Sequence, residues 1–279
     1  MGQASKELRI SEQGQITNRY NAAITNLGSE SVDVRLGGIY ALQRIMQDSS
    51  RDHPTVVSVL AAYVRQHARL PASGTEPTQT KPTEHSAPTD IQAAMNVLAD
   101  RLPGRDKGTA IDMNRTDLRG VKFRFIKGRS LDLRGAVFSE ADLRGAAMAN
   151  SDLREAQLDG ADLREAQLFL TNLAGAYLSE ADLTDAFICV ELTATGVTEK
   201  SEHACADLEG ATMEGVTLTG ADLTRAKLAR AKLTNADLAN AVLTGADLTG
   251  ADLTGADLTG VKLDGAKLDG VRGLPPSRR

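Results

Sequence analysis

The sequence ADLTGADLTGADLTG at residues 246–260 repeats one five-residue unit three times, and variants of this unit fill the chain from residue 111 to residue 270. The central position of the unit recurs at every fifth residue from 113 to 268, and Leu occupies 22 of these 32 positions. Such an internal repeat decides the fold before local propensities are considered. The alternative, a disordered low-complexity tract, gives no reason for a periodic Leu.

A repeat of five residues excludes both a straight helix and a straight strand. A helix turns by about 100° per residue, so residues five apart would spiral around every face. A strand places residues five apart on opposite faces. The chain must therefore bend once per unit. Four bends would close a coil of 20 residues, with the central Leu and the Ala two residues before it pointing inward. The Gly two residues after the centre would then lie at a corner.

The tandem pattern A-(D/N)-L-x-x resembles the pentapeptide-repeat family over about 160 residues. The resemblance implies a mainly β fold, a right-handed quadrilateral β-helix over residues 111–270. At about 4.8 Å per coil, eight coils would form a rod of about 38 Å, similar in length to about 11 base pairs of duplex. We expect Leu143, Leu163, Leu183 and Leu223 to be buried inside this solenoid.

One stretch of the repeat lacks an apolar centre, because Thr193, Thr198 and His203 occupy the central positions. Either one coil is poorly filled, or residues 191–205 leave the wall as a loop, and we favour the loop. A loop would bring Cys189 and Cys205 together at its neck, where a disulfide requires Cα atoms within about 7 Å. In a reducing cytoplasm two free thiols are the alternative.

The segments before the repeat have a different character. Residues 1–70 contain three amphipathic helical patterns and predict an α-helical module, and residues 71–89 form a Pro/Thr/Ser-rich linker. Residues 90–110 predict a helix, capped by Thr89 or Asp90, that covers the first coil and leads into the solenoid. Residues 271–279 form a short tail.

The module resembles a segment that precedes the solenoid in bacterial, especially actinobacterial, pentapeptide-repeat proteins, and its helix spacing is loosely like a HEAT pair. In such relatives a membrane span often lies upstream. The chain itself contains no apolar run long enough to span a membrane and no signal peptide. We therefore expect a cytoplasmic protein, with membrane association only if an upstream anchor has been removed.

The sequence contains no motif for nucleotide binding, nucleophilic catalysis or zinc binding. Four scattered His residues and two Cys residues do not form a ligand set. We expect no catalytic residue, metal or cofactor, so the protein is not predicted to be an enzyme. Asp142, Asp162 and Asp182 recur every 20 residues, point outward in this interpretation, and form the candidate interaction surface. A calcium site or paired catalytic carboxylates are weaker interpretations of this column, because Arg144 and Arg164 offset its charge.

Two functions remain open. The first is a non-enzymatic protein-interaction scaffold whose docking surfaces are the helical module and the loop. The alternative, implied by the family resemblance, is a DNA-mimicking protein that binds and protects DNA gyrase or topoisomerase. Residues 111–270 carry 26 Asp and Glu against 17 Lys and Arg, which argues against direct nucleic-acid binding. The interspersed basic residues argue against mimicry. Uncapped C-terminal repeats also predict a homodimer through the C-terminal coils.

Overall fold

The computed structural model describes residues 3–70, 86–123, 130–192 and 202–275. The chain divides into two compact units, one of Met1–His67 with Pro88–Ile111 and one of Ala68–Ala87 with Asp112–Arg279. Residues 71–85 of the predicted linker and residues 276–279 of the predicted tail lie outside the described part. None of the helices described is long and apolar enough to cross a membrane.

The first unit is a bundle of four α-helices, followed by a 3₁₀ turn at Pro103–Arg105. The helices are α1 at Gln3–Leu27, α2 at Val32–Asp48, α3 at His53–His67 and α4 at Thr89–Ala99. Helix α2 packs against each of the other three, and α3 also packs against α4. The helix predicted as a cap thus belongs to the helical unit, and its role as a cover for the first coil stays a prediction.

The packing of this bundle follows the apolar stripes of the sequence. Ile39, Leu42 and Leu60 are completely buried. Gly38 allows α1 and α2 to approach closely, since a Cβ atom there would lie 2.8 Å from the carbonyl oxygen of Ala23. Tyr40, the residue after Ile39 in α2, is 51% exposed.

The second unit is a β-helix built from the five-residue repeats. Parallel bridges join residues 20 apart, as in Asp142 to Asp162 and Asp162 to Asp182, so four repeats complete one coil. Only one pair of these short segments is long enough to form strands, β1 at Leu131–Asp132 and β2 at Ser151–Asp152. Leu143, Leu163, Leu183 and Leu223 are all completely buried, as predicted.

The described part contains seven coils, one fewer than predicted from the length of the repeat. Seven successive bridges lead from Asp112 to Arg272. Two of these steps are longer than 20 residues: Asp112 to Val137 spans 25, and Tyr177 to Thr212 spans 35. The first coil is therefore five residues longer than a regular coil, and the coil that contains the hairpin is fifteen residues longer. Residues 124–129 lie outside the described part.

The corners explain the recurring Gly of the repeat. In the regular coils that the structure describes, the residue two positions after the centre adopts a positive φ, for example 68° at Gly245 and 71° at Gly250. This conformation costs Gly little, because it has no Cβ. Asn235 and Asn240 adopt it at two other corners, consistent with the tolerance of Asn for this region.

The long interruption contains a β-hairpin. Strand β3 at Cys189–Leu192 pairs antiparallel with β4 at Glu202–Cys205, in a register that places Cys189 opposite Cys205. The two cysteines form a disulfide, and their Cα atoms are 4.0 Å apart. The residues between the two strands, 193–201, lie outside the described part.

The two ends of the β-helix differ. At the first coil, Ala68 and Leu70 exchange backbone hydrogen bonds with Asp117 and Arg115, which covers part of that edge. At the last coil, the apolar core residues remain partly exposed: Leu258, Leu263, Ala266 and Leu268. Leu274 is buried, because Gly273 lies directly against the backbone of Leu253 and Thr254. Residues 271–275, the described part of the tail, thus cover one part of the terminal coil.

Candidate functional site

The predicted acidic column exists, but its charges are paired. Asp142, Asp162 and Asp182 occupy successive rungs of one parallel ladder. In the sequence D-L-R the Asp and Arg are two residues apart, so both side chains lie on the same outer face. Arg144 binds Asp142 through two parallel hydrogen bonds, Nε to Oδ1 at 2.9 Å and Nη2 to Oδ2 at 2.6 Å. This is the two-pronged geometry in which Arg binds a carboxylate most strongly.

Each arginine also reaches the acid of the next coil. Arg119 Nε lies 3.6 Å from Asp142 Oδ2, and Arg144 Nε lies 3.3 Å from Asp162 Oδ2. Arg164 Nε lies 3.5 Å from Asp182 Oδ2. Acids and arginines therefore alternate along this face as a continuous ionic ladder, which we call the Asp–Arg ladder. Its residues are Asp117, Arg119, Asp142, Arg144, Asp162, Arg164 and Asp182.

The ladder changes the interpretation of the candidate surface. The side chain of Asp142 is only 9% exposed, because Arg119 and Arg144 cover it, and that of Asp162 is 26% exposed. Asp142 therefore lies on the outer face but beneath arginine side chains, and the role of this column as an interaction surface stays a prediction. The hydrogen bond to Asp142 raises the pKa of Arg144, although partial burial opposes the rise. The Arg144 guanidinium therefore stays charged over the physiological range.

A neighbouring column of the β-helix, from Asp132 to Lys267, also pairs opposite charges. Arg154 binds Asp152 at 2.6 Å on a neighbouring face. In the later coils, Lys227 contacts Asp207 at 3.2 Å, and Lys267 contacts Asp247 at 2.9 Å. Because most of these side chains are half exposed, their pairing contributes little stability but cancels the local field.

Three acids of the ladder's face have no arginine two residues later: Asp182, Asp237 and Asp257. Threonine or alanine follows instead, and Asp237 accepts hydrogen bonds from the Thr219 hydroxyl at 2.8 Å and the Ala239 amide at 2.9 Å. The hydrogen bonds from Thr259 lower the pKa of Asp257. Here the carboxylate stabilises a corner of the coil. Within the described residues, no group of His, Cys, Asp and Glu could hold a metal ion.

The hairpin arises beside an exposed apolar pair. Phe187 and Leu170 are each 51% exposed. Phe187 forms a parallel bridge with Gln167 of the preceding coil. Leu170, three residues after Gln167, lies at the next corner of that preceding coil. Cys189, which begins the hairpin, is 7% exposed. The structure thus places exposed apolar side chains next to the disulfide of the predicted loop.

The helical unit contains a buried polar cluster that sequence reasoning missed. Asp90 accepts hydrogen bonds from Tyr63 Oη at 2.6 Å and Arg35 Nε at 2.8 Å. Burial alone would raise the pKa of Asp90, but these hydrogen bonds outweigh it and lower the pKa. The sequence predicted Thr89 or Asp90 as a helix cap, whereas Pro88 occupies the cap position. Asp90 instead fastens α4 to α2 and α3.

A second buried cluster joins the start of α3 to the segment after α4. His53 Nε2 lies 2.8 Å from Asp106 Oδ1, and Arg101 Nε donates to Asp106 Oδ2 at 2.8 Å. His53 Nδ1 lies 3.3 Å from the Met46 carbonyl oxygen. His53, Arg101 and Asp106 are all buried, and the cluster ties together parts of the helical unit.

The comparison with known families agrees with this geometry. The profile described as pentapeptide repeats matches eight copies, at residues 132–168, 161–188, 204–238 and 236–272. The chain belongs to the pentapeptide-repeat family. The matches omit residues 189–203, which contain most of the hairpin, so the profile treats that segment as foreign to the repeat. No curated protein matches the sequence.

Several solved pentapeptide-repeat proteins are similar to the chain. QnrB1, a plasmid-mediated fluoroquinolone resistance protein, is 18% identical over 60% of this chain and 83% of its own, with a TM-score of 0.44. HetL from the cyanobacterium Nostoc, involved in heterocyst differentiation regulation, is 29% identical over 57% of this chain and 81% of its own, with a TM-score of 0.21. A protein from the Arabidopsis thaliana thylakoid lumen is 24% identical over 45% of this chain and 72% of its own, with a TM-score of 0.24. TM-scores below 0.5 do not support an inference of function.

Proposed function

We propose that this pentapeptide-repeat protein is a non-enzymatic scaffold for protein interactions. The observation that carries the proposal is the Asp–Arg ladder. A surface that imitates DNA requires a continuous negative potential, whereas in the ladder each guanidinium neutralises acids of its own coil and of the next. A rigid β-helix with a neutralised wall is suited to presenting other surfaces.

Two apolar surfaces are the proposed docking sites. The first is the exposed pair Phe187 and Leu170 with the hairpin beside it. The second lies on the helical unit, where a groove between α1 and α3 is lined by Tyr20, Ile24 and Val59 among others. Aromatic and aliphatic side chains on the surface of a rigid framework are typical anchors of protein interfaces.

The proposed solenoid is a right-handed quadrilateral β-helix, and its partner is a protein. The open last coil supports a homodimer, because half-exposed Leu side chains and unpaired backbone groups at an edge favour pairing with another chain. The proposed location is the cytoplasm of a bacterium. Neither a cofactor nor a metal is required for these roles.

DNA mimicry directed at gyrase or topoisomerase is the second candidate. The observation that favours it is the absence of arginine after Asp182, Asp237 and Asp257, which leaves the later part of one face more acidic than the ladder. Three acids on one face are few compared with the phosphates of the ten or so base pairs that seven coils match in length.

The scaffold proposal is tested by comparing capture of partners by three forms of the full chain. The wild type, a hairpin-surface variant with Leu170→Ser and Phe187→Ser, and a groove variant with Ile24→Ser would be used as baits in native lysate. All three substitutions replace partly exposed side chains, so folding should persist, and circular dichroism checks this. We expect a protein captured by the wild type to be lost with at least one variant. Equal capture by all three forms would contradict these docking sites.

A further inference from the structure

The hydrogen bonding between successive coils is interrupted at Ile188, the residue before the hairpin. We call this position the open rung. In other coils the central amide donates to the following coil: Leu168 N–H to Phe187 O at 2.9 Å, and Leu223 N–H to Val242 O at 2.8 Å. The Ile188 amide instead donates to Ala186 O, two residues back, at 3.1 Å. In the described part of the wall, no bridge joins Phe187 to Asp222, the residue one coil further on.

The hairpin is inserted at the corner that follows Ile188, and this corner keeps the backbone hydrogen bond of other corners, such as Ala211 N–H to Leu208 O at 3.1 Å. Ala206 N–H donates to the Ile188 carbonyl oxygen at 2.9 Å, and the next residue, Cys189, is bonded to Cys205. The chain therefore enters and leaves the hairpin at one point. The interrupted hydrogen bond and the disulfide thus lie at adjacent residues, Ile188 and Cys189.

The sulfur of Cys205 lies 3.1 Å from the Thr224 carbonyl oxygen. In the next two coils the equivalent carbonyl oxygens accept hydrogen bonds from corner amides, Arg225 N–H to Thr244 O at 2.9 Å and Gly245 N–H to Asp264 O at 2.9 Å. A disulfide sulfur has no proton to donate, whereas a thiol is a weak donor. Reduction would therefore give Cys205 a hydrogen bond that the disulfide cannot make.

We propose that Cys189 and Cys205 form a redox switch between two arrangements of this rung. In the oxidised arrangement the disulfide closes the hairpin and the rung stays open. In the reduced arrangement the neck separates, the Ile188 amide donates to the Asp222 carbonyl, and the Cys205 thiol donates to Thr224. The Ile188 amide thus has a different hydrogen-bond acceptor in each arrangement, and a switch requires two such alternative states.

The chemistry is thiol–disulfide exchange with a dithiol. A thiolate of the dithiol attacks Cys205 Sγ, which is more exposed than Cys189, and the bond between the two protein sulfurs breaks. The second thiol of the reagent then releases Cys205, so that two electrons and two protons pass to the protein and the reagent becomes a cyclic disulfide. An oxidised dithiol or glutathione disulfide reverses the reaction.

The switch has a consequence for the proposed docking surface, because Phe187 lies immediately before Ile188. A rung that closes would reposition this exposed side chain together with the hairpin. This consequence rests on the proposed scaffold function, whereas the switch itself does not. The experiment therefore measures the two arrangements in the absence of a partner.

Residue-resolved amide exchange by NMR on the full chain tests the switch, with and without dithiothreitol. On reduction we expect exchange of the Ile188 amide to slow by about five- to tenfold, because a hydrogen bond to the next coil replaces the local bond to Ala186. Exchange of the Val190 and Ala204 amides, which belong to the hairpin, should become faster over the same titration. The amides of Leu223 and Leu228, in the undisturbed coils, should not change.

A variant with Cys189→Ser and Cys205→Ser provides the matched control. It should show the reduced pattern under both conditions, because a Ser hydroxyl can also donate to Thr224. Faster exchange at Ile188 and the hairpin together would overturn the switch, since it would indicate simple fraying. A wild-type protein that keeps two free thiols in glutathione disulfide would overturn it as well.

Discussion

Truncation of a central Leu measures how strongly the stacked core holds the β-helix together. Leu163 is completely buried, in a column between Leu143 and Leu183. Leu163→Ala removes about three methyl or methylene groups at about 0.8 kcal/mol each. The cavity left between two fixed rungs adds to this loss, so we expect a destabilisation of about 3–4 kcal/mol. Leu268→Ala, in the half-exposed last coil, makes the same chemical change and should cost about 1 kcal/mol.

The assay is urea unfolding read by pulsed hydrogen exchange and mass spectrometry on the full chain. Peptides from residues 140–185 report on the β-helix separately from the four helices, which would dominate a far-UV signal. A solenoid need not unfold in one step, so a local reading is required. Equal losses for the two variants, or a loss below about 1 kcal/mol for Leu163→Ala, would refute the stacked core.

Three further outcomes follow from the charges and the open end. Arg144→Gln should destabilise the coils by about 2 kcal/mol, because it removes the bidentate partner of the covered Asp142 carboxylate. Arg154→Gln, at a more exposed pair, should cost under about 1 kcal/mol, and the urea midpoints of the two variants compare these losses. The hydrogen bonds from Thr249 and Lys267 lower the pKa of Asp247 to about 2. The stabilising contribution of Asp247 is therefore present above about pH 4 and is lost as the pH falls towards 2. Asp247→Asn should reduce this acid dependence in thermal melts, and a pH profile identical to that of the wild type would contradict the prediction. Light scattering at micromolar concentration should give a dimer, whereas a monomer would remove the proposed C-terminal interface.

The solenoid was predictable because its signal is carried by many independent positions. The period of five excluded simpler structures, and the buried positions of Leu143 and Leu163 follow directly from it. The loop around residues 191–205 was visible as three polar centres. The five additional residues of the first coil were missed, although Gly128 at a central position is the same kind of signal. The chain keeps its period through that segment, which concealed the longer first coil.

Features that depend on pairing across the sequence were harder to predict. The sequence pattern predicted that Asp142 lies on the outer face. It did not predict that Arg119 and Arg144 cover Asp142, because that depends on the side-chain conformations of residues in neighbouring coils. Asp90 and Arg35 are 55 residues apart, and nothing in either local sequence indicates that they meet. Burial of such a pair is set by helix packing, which local patterns do not determine.

The central claim is that charge pairing makes this wall a scaffold and not a substitute for DNA. A gyrase supercoiling assay with the wild-type chain tests it most directly, beside a variant with Asp182→Asn, Asp237→Asn and Asp257→Asn. These three acids lack an arginine in their own repeat, so any mimicry should depend on them and weaken with salt. The account predicts that neither form changes supercoiling at low-micromolar concentration. Inhibition or protection of gyrase by the wild type, reduced in the variant, would contradict it.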